Sequence, residues 1–415
     1  MESNNRKKAG CLVCRSEEVE EFLSLGNTAL ANQFLRADEI GRRECTYPLR
    51  VGFCRACAHT QLIESVPPHM MFENYLYISS ASDTLKDHLW DLSDVLVSRY
   101  RFGATDRVID IGCNDGTLLH GFKRHGVRTL GVDPAQNLVE FTNANGISER
   151  YTDFFTASTA QDIVSKWGSA SLVTATNTFP HIQDLTDFIE GIQIVLKPGG
   201  VLVMEMHYLS DLIEQVAFDT IYHEHVSYWA LGPMKQLFER NGMAVVDAER
   251  LPLHHGQLRV HVQRRGEGPV YTGVDKILSE EKTARLDRFE TYVHFAERAL
   301  KVRKDLHETL TLMAQQGKRV AGYGAPAKGN TLLGFLGIGP EVLRYIVDRN
   351  PLKQGLYTPG THIPVVPPER LLADQPDYVL VLAWNFIDEI VQQQAEYLRR
   401  GGKFMLPVPE VRIIG

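Results

Sequence analysis

The stretch Val108–Leu119, VIDIGCNDGTLL, limits what this chain can fold into more than any other. Val108–Ile111 has the pattern of a buried parallel strand and ends at Gly112. Gly116 follows, ahead of an apolar, helix-compatible run. The order predicted is strand, tight turn, helix. Glycine at such a turn lets the backbone pass close to a ligand, and the helix N-terminus behind it offers unpaired N–H groups. The next strand, Thr129–Val132, ends in Asp133, about twenty residues after the turn, where a carboxylate can accept the hydroxyls of a ribose. Together these segments predict a nucleoside-binding βαβ unit.

The rest of the chain is consistent with such a unit inside a larger globular protein. Its 415 residues are enough for two or three domains, and 44% hydrophobic with 23% charged residues is ordinary for a folded chain. A net charge of -7 argues against a broad basic face, so nucleic acid is not expected as a partner. No apolar run reaches membrane-spanning length and the N-terminus, MESNNRKKAG, has no apolar core, so a cytoplasmic protein without membrane contact is expected.

Four of the six cysteines form two C-x-x-C pairs, Cys11/Cys14 and Cys54/Cys57. With no sign of an oxidising compartment, they read as four thiolates around one tetrahedral, structural zinc; a redox pair is the alternative. Pro48–Phe53 reads as a strand between the knuckles. Asn74–Ser82, NYLYISSAS, gathers Tyr75, Tyr77, Ser79 and Ser80, and reads as either a surface linker or a lid over the cofactor cleft. An amphipathic helix is predicted from about Asp83 to Tyr100.

Beyond Asp133 the alternation of strand and helix continues. Asp153, Phe154 and Phe155 are placed to meet a nucleobase. Ser171–Ala175 reads as a strand leading into Asn177 and His181, at the ligand end of the sheet, and Val201–Glu205 as the next strand, with His207 beyond it. Tyr222-His223-Glu224-His225 is the densest cluster of proton-handling side chains. In an extended segment His223 and His225 would share one side and Tyr222 and Glu224 the other; on a helix all four would splay.

From Leu251 a different unit is expected, opening on a turn with His254, His255 and Gly256 and an alternating strand containing Arg259. Thr272–Gln316 has helical spacing and predicts one or two packing helices. Arg319–Gly322 then reads as a strand before a second glycine-rich turn, Gly322–Gly329, in which Lys328 sits where a cation could meet phosphate. Tyr345–Val347 ends in Asp348, with Lys353 nearby, and Tyr378–Ala383 leads to Trp384-Asn385. This predicts a second α/β unit with its own nucleotide-shaped crevice.

The motif D-x-G-x-x-x-G at Asp110, Gly112 and Gly116 resembles the first motif of S-adenosylmethionine-dependent methyltransferases. K-P-G-G at Lys197–Gly200 is similar to a turn of the same enzymes. In order along the chain, the paired cysteines, Y-x-Y-x-S-S, D-I-G-C-N-D-G, N-T-x-x-H-I, Y-x-E-H, H-x-G-x-x-R, G-Y-G-A-x-A-K, T-P-G-x-x-I-P-V and A-W-N resemble the nucleotide-sugar C-methyltransferases that methylate C-3 of 4-keto-deoxy sugars in antibiotic or glycan biosynthesis. The resemblance covers essentially the whole chain. It departs at His254-His255-Gly256-Gln257-Leu258-Arg259, where the family reads H-G-G-E-x-R, and at Pro326 with Gly329.

The resemblance implies three parts: a zinc-binding module over 1–69, a doubly wound Rossmann-like methyltransferase domain over 70–250, and a second Rossmann-like α/β domain over 251–415. It implies that Asp110, Gly112, Asn114 and Gly116 cradle the amino-acid end of S-adenosylmethionine, with Asp133 at the ribose and Asp153, Phe154 and Asn177 completing the cofactor set. His225 would be the base at C-3, with Glu224 orienting it or the substrate, and Tyr222, His181 and Tyr77 lining the pocket. Tyr75, Ser80, Lys328, Asp348, Lys353 and Asn385 would meet a nucleotide-linked, dTDP-type sugar. A monomer or weak dimer is expected, and O- or N-methylation is the rival activity.

Overall fold

A computed structural model describes the backbone of residues 6–7, 10–253 and 256–415. His254 and His255, singled out in the sequence, lie outside the described residues. Among the described residues three larger sheets organise the chain, beside a two-stranded pairing of Arg6–Lys7 with Glu64–Ser65.

The N-terminal sheet is antiparallel, with strands Val19–Thr28, Tyr47–Cys54 and Thr60–Leu62 in neighbouring order. Its fourth strand, Ser227–Tyr228, comes from far along the chain and pairs with Thr60 and Gln61. Tyr47–Cys54 includes the expected Pro48–Phe53 strand and ends on one of the paired cysteines. Its residues Leu49, Val51 and Phe53 are buried, as the alternation of a half-covered strand requires.

The central sheet has seven strands, in the order Met243–Leu251, Gln257–Arg264, Leu196–His207, Ala170–Thr176, Arg107–Ile111, Arg128–Val132 and Arg150–Tyr151. The last five are parallel neighbours. The first two form an antiparallel hairpin on the edge of Leu196–His207. A parallel sheet covered on both sides needs strands apolar on both faces, and Val108, Ile109, Leu172, Val173, Leu202 and Val203 are all buried.

Helix Asp83–Tyr100 begins at Ser82, whose side chain accepts from the Leu85 N–H, and ends at Arg101 in the left-handed conformation. It buries Leu85, Leu89, Leu92 and Leu96 and lies against helix Thr117–Arg124, where Gly121 gives room for Ser93. The predicted segment Thr272–Gln316 is two helices, Thr272–Thr283 and Phe289–Gln315.

The unit expected to begin at Leu251 gives its first strand to the central sheet. Gln257–Arg264 pairs with Leu196–His207 on one side and Met243–Leu251 on the other, so the 250/251 boundary falls inside a hairpin. Its alternation gave away a strand but not the edge that would receive it. The C-terminal sheet proper runs Val365–Val366, Leu343–Val347, Val320–Tyr323, Tyr378–Val381, Lys403–Leu406 and Arg412–Ile414. All neighbours are parallel except the last pair. Two doubly wound sheets therefore sit in one chain, each with a switch point where strand order reverses.

Candidate active site

At the switch point of the central sheet the Gly112 turn leaves Arg107–Ile111 and Asn177 leaves Ala170–Thr176. Gly112 has φ +73°, and a β-carbon there would lie 2.1 Å from Thr178 Oγ1. Only glycine lets the turn pass that close. Asn177 is itself left-handed, with φ 54°, and its N–H donates to the Glu205 carbonyl at 2.7 Å.

Asp110 is buried, accepts from Thr174 Oγ1 at 2.7 Å, and is pushed up to about 7 by burial. Asp133, raised mainly by burial, accepts from the Asn114 and Ala135 N–H groups, each at 2.9 Å. The Asn114 side chain is tied to the segment Asn74–Ser82, which lines the cavity through Tyr75, Tyr77 and Ser79 and is called the lid below: it donates to the Tyr77 carbonyl at 3.0 Å and accepts from the Ser79 N–H at 3.0 Å.

The Tyr222–His225 segment is neither extended nor helical. It is a turn, closed by the His225 N–H donating to the Tyr222 carbonyl at 3.0 Å. The turn brings Tyr222 and His225 together, which the extended reading had placed on opposite sides. His225 Nδ1 is 2.8 Å from the Thr220 carbonyl and Nε2 is 2.9 Å from the Tyr222 hydroxyl. A carbonyl only accepts, so Nδ1 holds the hydrogen and Nε2 is the basic nitrogen, receiving the Tyr222 O–H. Burial pulls the imidazole down to about 4.

His181 stacks between Phe72 and His225, with ring centroids 5.1 and 5.2 Å away. Its Nε2 is buried without a protein partner, and burial followed by His225 lowers it well below the usual histidine range. His207 lies 5.4 Å from His225. His223 turns away to the Pro48 carbonyl, 3.2 Å off, and against Tyr47. Glu224 also turns away, to Asn32 Nδ2 at 2.7 Å and the Tyr75 hydroxyl at 2.9 Å. These two bonds run to the N-terminal module and the lid, and neither reaches the His225 ring, one of the two groups, with the substrate, that Glu224 was expected to orient.

One cavity of about 480 Å³ joins these groups. Its wall takes Asp110, Gly112, Asn114, Asp133, Asp153, Phe154 and Asn177 from the central sheet, Tyr75 and Tyr77 from the lid, and His181, Tyr222 and His225 from the cluster. Lys328, Lys353 and Asn385 reach it from the C-terminal unit. Lys328 lies 3.9 Å over the Trp384 ring, bonds Asn385, and is lowered by burial to about 8. Lys353 Nζ donates to the Ala325 carbonyl at 2.8 Å.

Four expected residues lie outside this wall. Gly116 serves the turn, with φ +79° and Ile147 and Thr142 packed beside it. Ser80 is exposed and donates its N–H to Asp115 Oδ2 at 2.9 Å. Asp348 spends its carboxylate on the Ala325 and Asn350 N–H groups, and Glu224 is held as described. Sequence reasoning gave no site role to Asn32, which it missed, or to Gln257 and Lys328's partner Trp384, which it named only within motifs; all three are on the wall. Gln257 is wholly buried, donates to Asn177 Oδ1 at 3.2 Å, and falls in the H-x-G-x-x-R motif already singled out.

The four sulfurs of Cys11, Cys14, Cys54 and Cys57 lie within 4.8 Å of one another. A tetrahedral zinc with Zn–S bonds of about 2.3 Å needs sulfurs roughly 3.8 Å apart, so the set fits that ion. Left-handed Arg15 and Ala58 close the two knuckles after the second cysteine of each pair.

A glycine turn at the switch point, a carboxylate at the end of the next strand and a cavity with imidazoles on its wall define a nucleoside-binding protein of the doubly wound class. Family models match in three places: a zinc binding domain over residues 11–72, a methyltransferase domain over 84–248 and a C-methyltransferase C-terminal domain over 252–409. The C-methyltransferase NovU of Streptomyces niveus is 36% identical over 405 residues, 97% of this chain and 96% of that one. The chain belongs to this C-methyltransferase family, and it is an S-adenosylmethionine-dependent enzyme with a zinc-binding module. A more distant relative is the ubiquinone biosynthesis O-methyltransferase of Xanthomonas oryzae pv. oryzae (strain PXO99A). It is 29% identical over 99 residues, 24% of this chain and 41% of that enzyme. Among solved structures, the PH0226 protein from Pyrococcus horikoshii OT3 aligns with a TM-score of 0.36 and 13% identity, over 48% of this chain and 98% of that one. Magnesium protoporphyrin IX methyltransferase from Synechocystis PCC 6803 aligns with 0.33 and 12%, over 43% and 79%. No helix among the described residues is long and apolar enough to cross a membrane.

Proposed function

We propose that this enzyme methylates C-3 of a nucleotide-linked 4-keto-deoxy sugar, carried on thymidine diphosphate, through a base-generated enolate. The observation that supports this is the single cavity in which the glycine turn, the crevice of the second α/β unit and the His225 imidazole meet. A carbon beside a ketone becomes nucleophilic only after it loses a proton. The enolate must then be held within reach of the methyl donor. S-adenosylmethionine, when bound, supplies an electrophilic methyl group on a sulfonium.

The residues divide this work. Asp110, Gly112, Asn114 and Asn177 hold the cofactor's amino-acid end, Asp133 the ribose, and Asp153 and Phe154 the adenine. His225 Nε2 takes the C-3 proton; its Nδ1–H stays on the Thr220 carbonyl, which fixes the ring. Once Nε2 is protonated it has the Tyr222 oxygen as acceptor, and the phenol hydrogen is released to the C-4 oxygen. A buried imidazole at about 4 is a weak base in the free enzyme. The negative charge that develops on the enolate in the same enclosure favours the imidazolium and raises it again. His181 offers its unpartnered Nε2 to the sugar, and Tyr75 and Tyr77 cover it. Lys328 and Lys353 face the phosphates, and Asn385 the ribose or base.

The test is mass spectrometry of products from a panel of nucleotide-linked 4-keto sugars, with deuterium uptake at C-3 followed in the absence of cofactor. The expected result is a gain of one methyl on carbon and exchange at C-3. Methylation without exchange would mean transfer to oxygen or nitrogen and would overturn the reading.

A further inference from the structure

Asn32 belongs to the N-terminal module, yet it stands on the wall of the cavity. Its Nδ2 donates to Glu224 Oε1 at 2.7 Å, and the Tyr75 hydroxyl donates to Oε2 of the same carboxylate at 2.9 Å. Glu224 is 3% exposed, so these two bonds replace water on it. The lid end of the arrangement is fixed as well: Tyr75 N–H donates to Asn137 Oδ1 at 2.9 Å, and Asn137 Nδ2 donates to the Tyr75 carbonyl at 2.8 Å. Two separate parts of the chain therefore converge on one carboxylate, and a third, at Asn137, holds Tyr75 in place.

The two partners differ in chemistry. An amide NH₂ only donates, whereas a phenol hydroxyl can donate or accept. We propose that Asn32 is a positioning residue that keeps Glu224 Oε1 an acceptor, so that any proton on this carboxyl must sit on Oε2, between Glu224 and Tyr75. With Glu224 ionised, the Tyr75 hydrogen points at Oε2. With Glu224 protonated, the Oε2 hydrogen is donated to the Tyr75 oxygen, and the phenol hydrogen turns to the cavity, where it can meet a carbonyl or enolate oxygen. That last step rests on the sugar substrate proposed above; the place of the proton does not.

The surroundings bring the switch into the neutral range. Burial pushes Glu224 up to about 7 against the opposing bonds from Asn32 and Tyr75 and the charge of Lys353. Tyr75 faces it from the lid, Tyr222 from its own turn, and Lys353 from the C-terminal unit; Tyr77 adjoins Tyr75, and Asp348 faces Lys353.

The experiment is an infrared pH titration of the full-length, zinc-loaded protein without cofactor, reading the carboxyl band identified as the one lost in Glu224→Gln. Asn32→Leu removes a donor that favours the ionised form, so the band's midpoint is expected to rise by about one pH unit. Asn32→Gln, which keeps the amide, is expected to bring it back. If Asn32→Leu does not fold, judged by zinc content and cofactor binding, Asn32→Ala makes the same comparison. A midpoint that stays at the wild-type value in a folded variant overturns the proposal. Failure of the sugar reading would appear separately, as absence of C-3 exchange in the wild-type enzyme.

Discussion

Replacing Tyr222 by phenylalanine tests the base in the simplest way, because it removes one oxygen and leaves the ring against His225, 4.1 Å between centroids. In the resting enzyme the lost contact is a neutral O–H to nitrogen bond at 2.9 Å, worth about 1 kcal/mol net. As proton abstraction proceeds, Nε2 becomes an N–H of a cation, and the same oxygen accepts a charge-assisted bond worth about 1.5–3 kcal/mol. The difference, roughly 0.5–2 kcal/mol, is stabilisation of the charged state over the neutral one. Tyr222→Phe should therefore slow C-3 exchange by roughly two- to thirtyfold. The lost donor to the C-4 oxygen acts in the same direction, so about twofold is the floor. Deuterium uptake at C-3 without cofactor isolates this step from methyl transfer. Its pH profile carries a second expectation. The reactive imidazole must be neutral, so the rate falls as pH drops through the His225 pKa. Burial has moved that to about 4, so exchange by the free enzyme should persist well below the 6.5 of an ordinary histidine. Exchange in Tyr222→Phe at the wild-type rate, or an acid limb at 6.5, would refute this account of His225.

His225→Ala should abolish both exchange and methylation while cofactor binding, measured by calorimetry, stays within about twofold, since the imidazole acts on the sugar. Cys54→Ser removes one of four sulfurs, and metal analysis should show zinc lost; an unchanged zinc content would dismiss the four-thiolate site. Gly112→Ala places a methyl group in a left-handed turn and onto Thr178, for a combined cost of roughly 2–5 kcal/mol. It should lower Tm and weaken cofactor binding together, and normal binding would show that the turn has room the geometry denies it.

The parts of the molecule legible in the sequence are those fixed by local chemistry. Helix Asp83–Tyr100 has apolar residues at helical spacing and a serine to cap it, and the glycine turn has both a steric reason and a following helix. The paired cysteines find one another because thiolate spacing is itself the signal. What stayed hidden depends on long-range placement. Tyr222–His225 was read by strand or helix periodicity, but the segment is a turn, and in a turn residues three apart can meet. Gln257–Arg264 alternates as a strand should, yet nothing in alternation says that it pairs with Leu196–His207 and not with a sheet of its own. Asn32 carries no motif and meets Glu224 only because the fold brings together residues 192 positions apart.

The same long-range placement connects the zinc-binding module to the turn that carries His225. The zinc knuckle at Cys54/Cys57 leads into Thr60–Leu62, which pairs with Ser227–Tyr228, two residues beyond His225. His59 adds a contact to Ser227 Oγ at 3.3 Å. From the other end, Trp384 Nε1 donates to Asp219 at 2.7 Å, next to Thr220, whose carbonyl holds the His225 ring. The basic nitrogen is thus suspended between two anchors, one in the zinc-binding sheet and one in the second α/β unit. The module's apolar residues pack into the main core, with Phe53 against Tyr292, and the four-thiolate site cross-links the two knuckles at the end of its sheet. Loosening it frees one end of the turn that carries His225, while the cofactor turn at Gly112, built within the central sheet, keeps its own hydrogen bond to the Val132 carbonyl at 2.7 Å. Removing zinc is therefore expected to slow C-3 exchange in the proposed reaction more than it weakens cofactor binding, and equal losses in the two assays would refute the link.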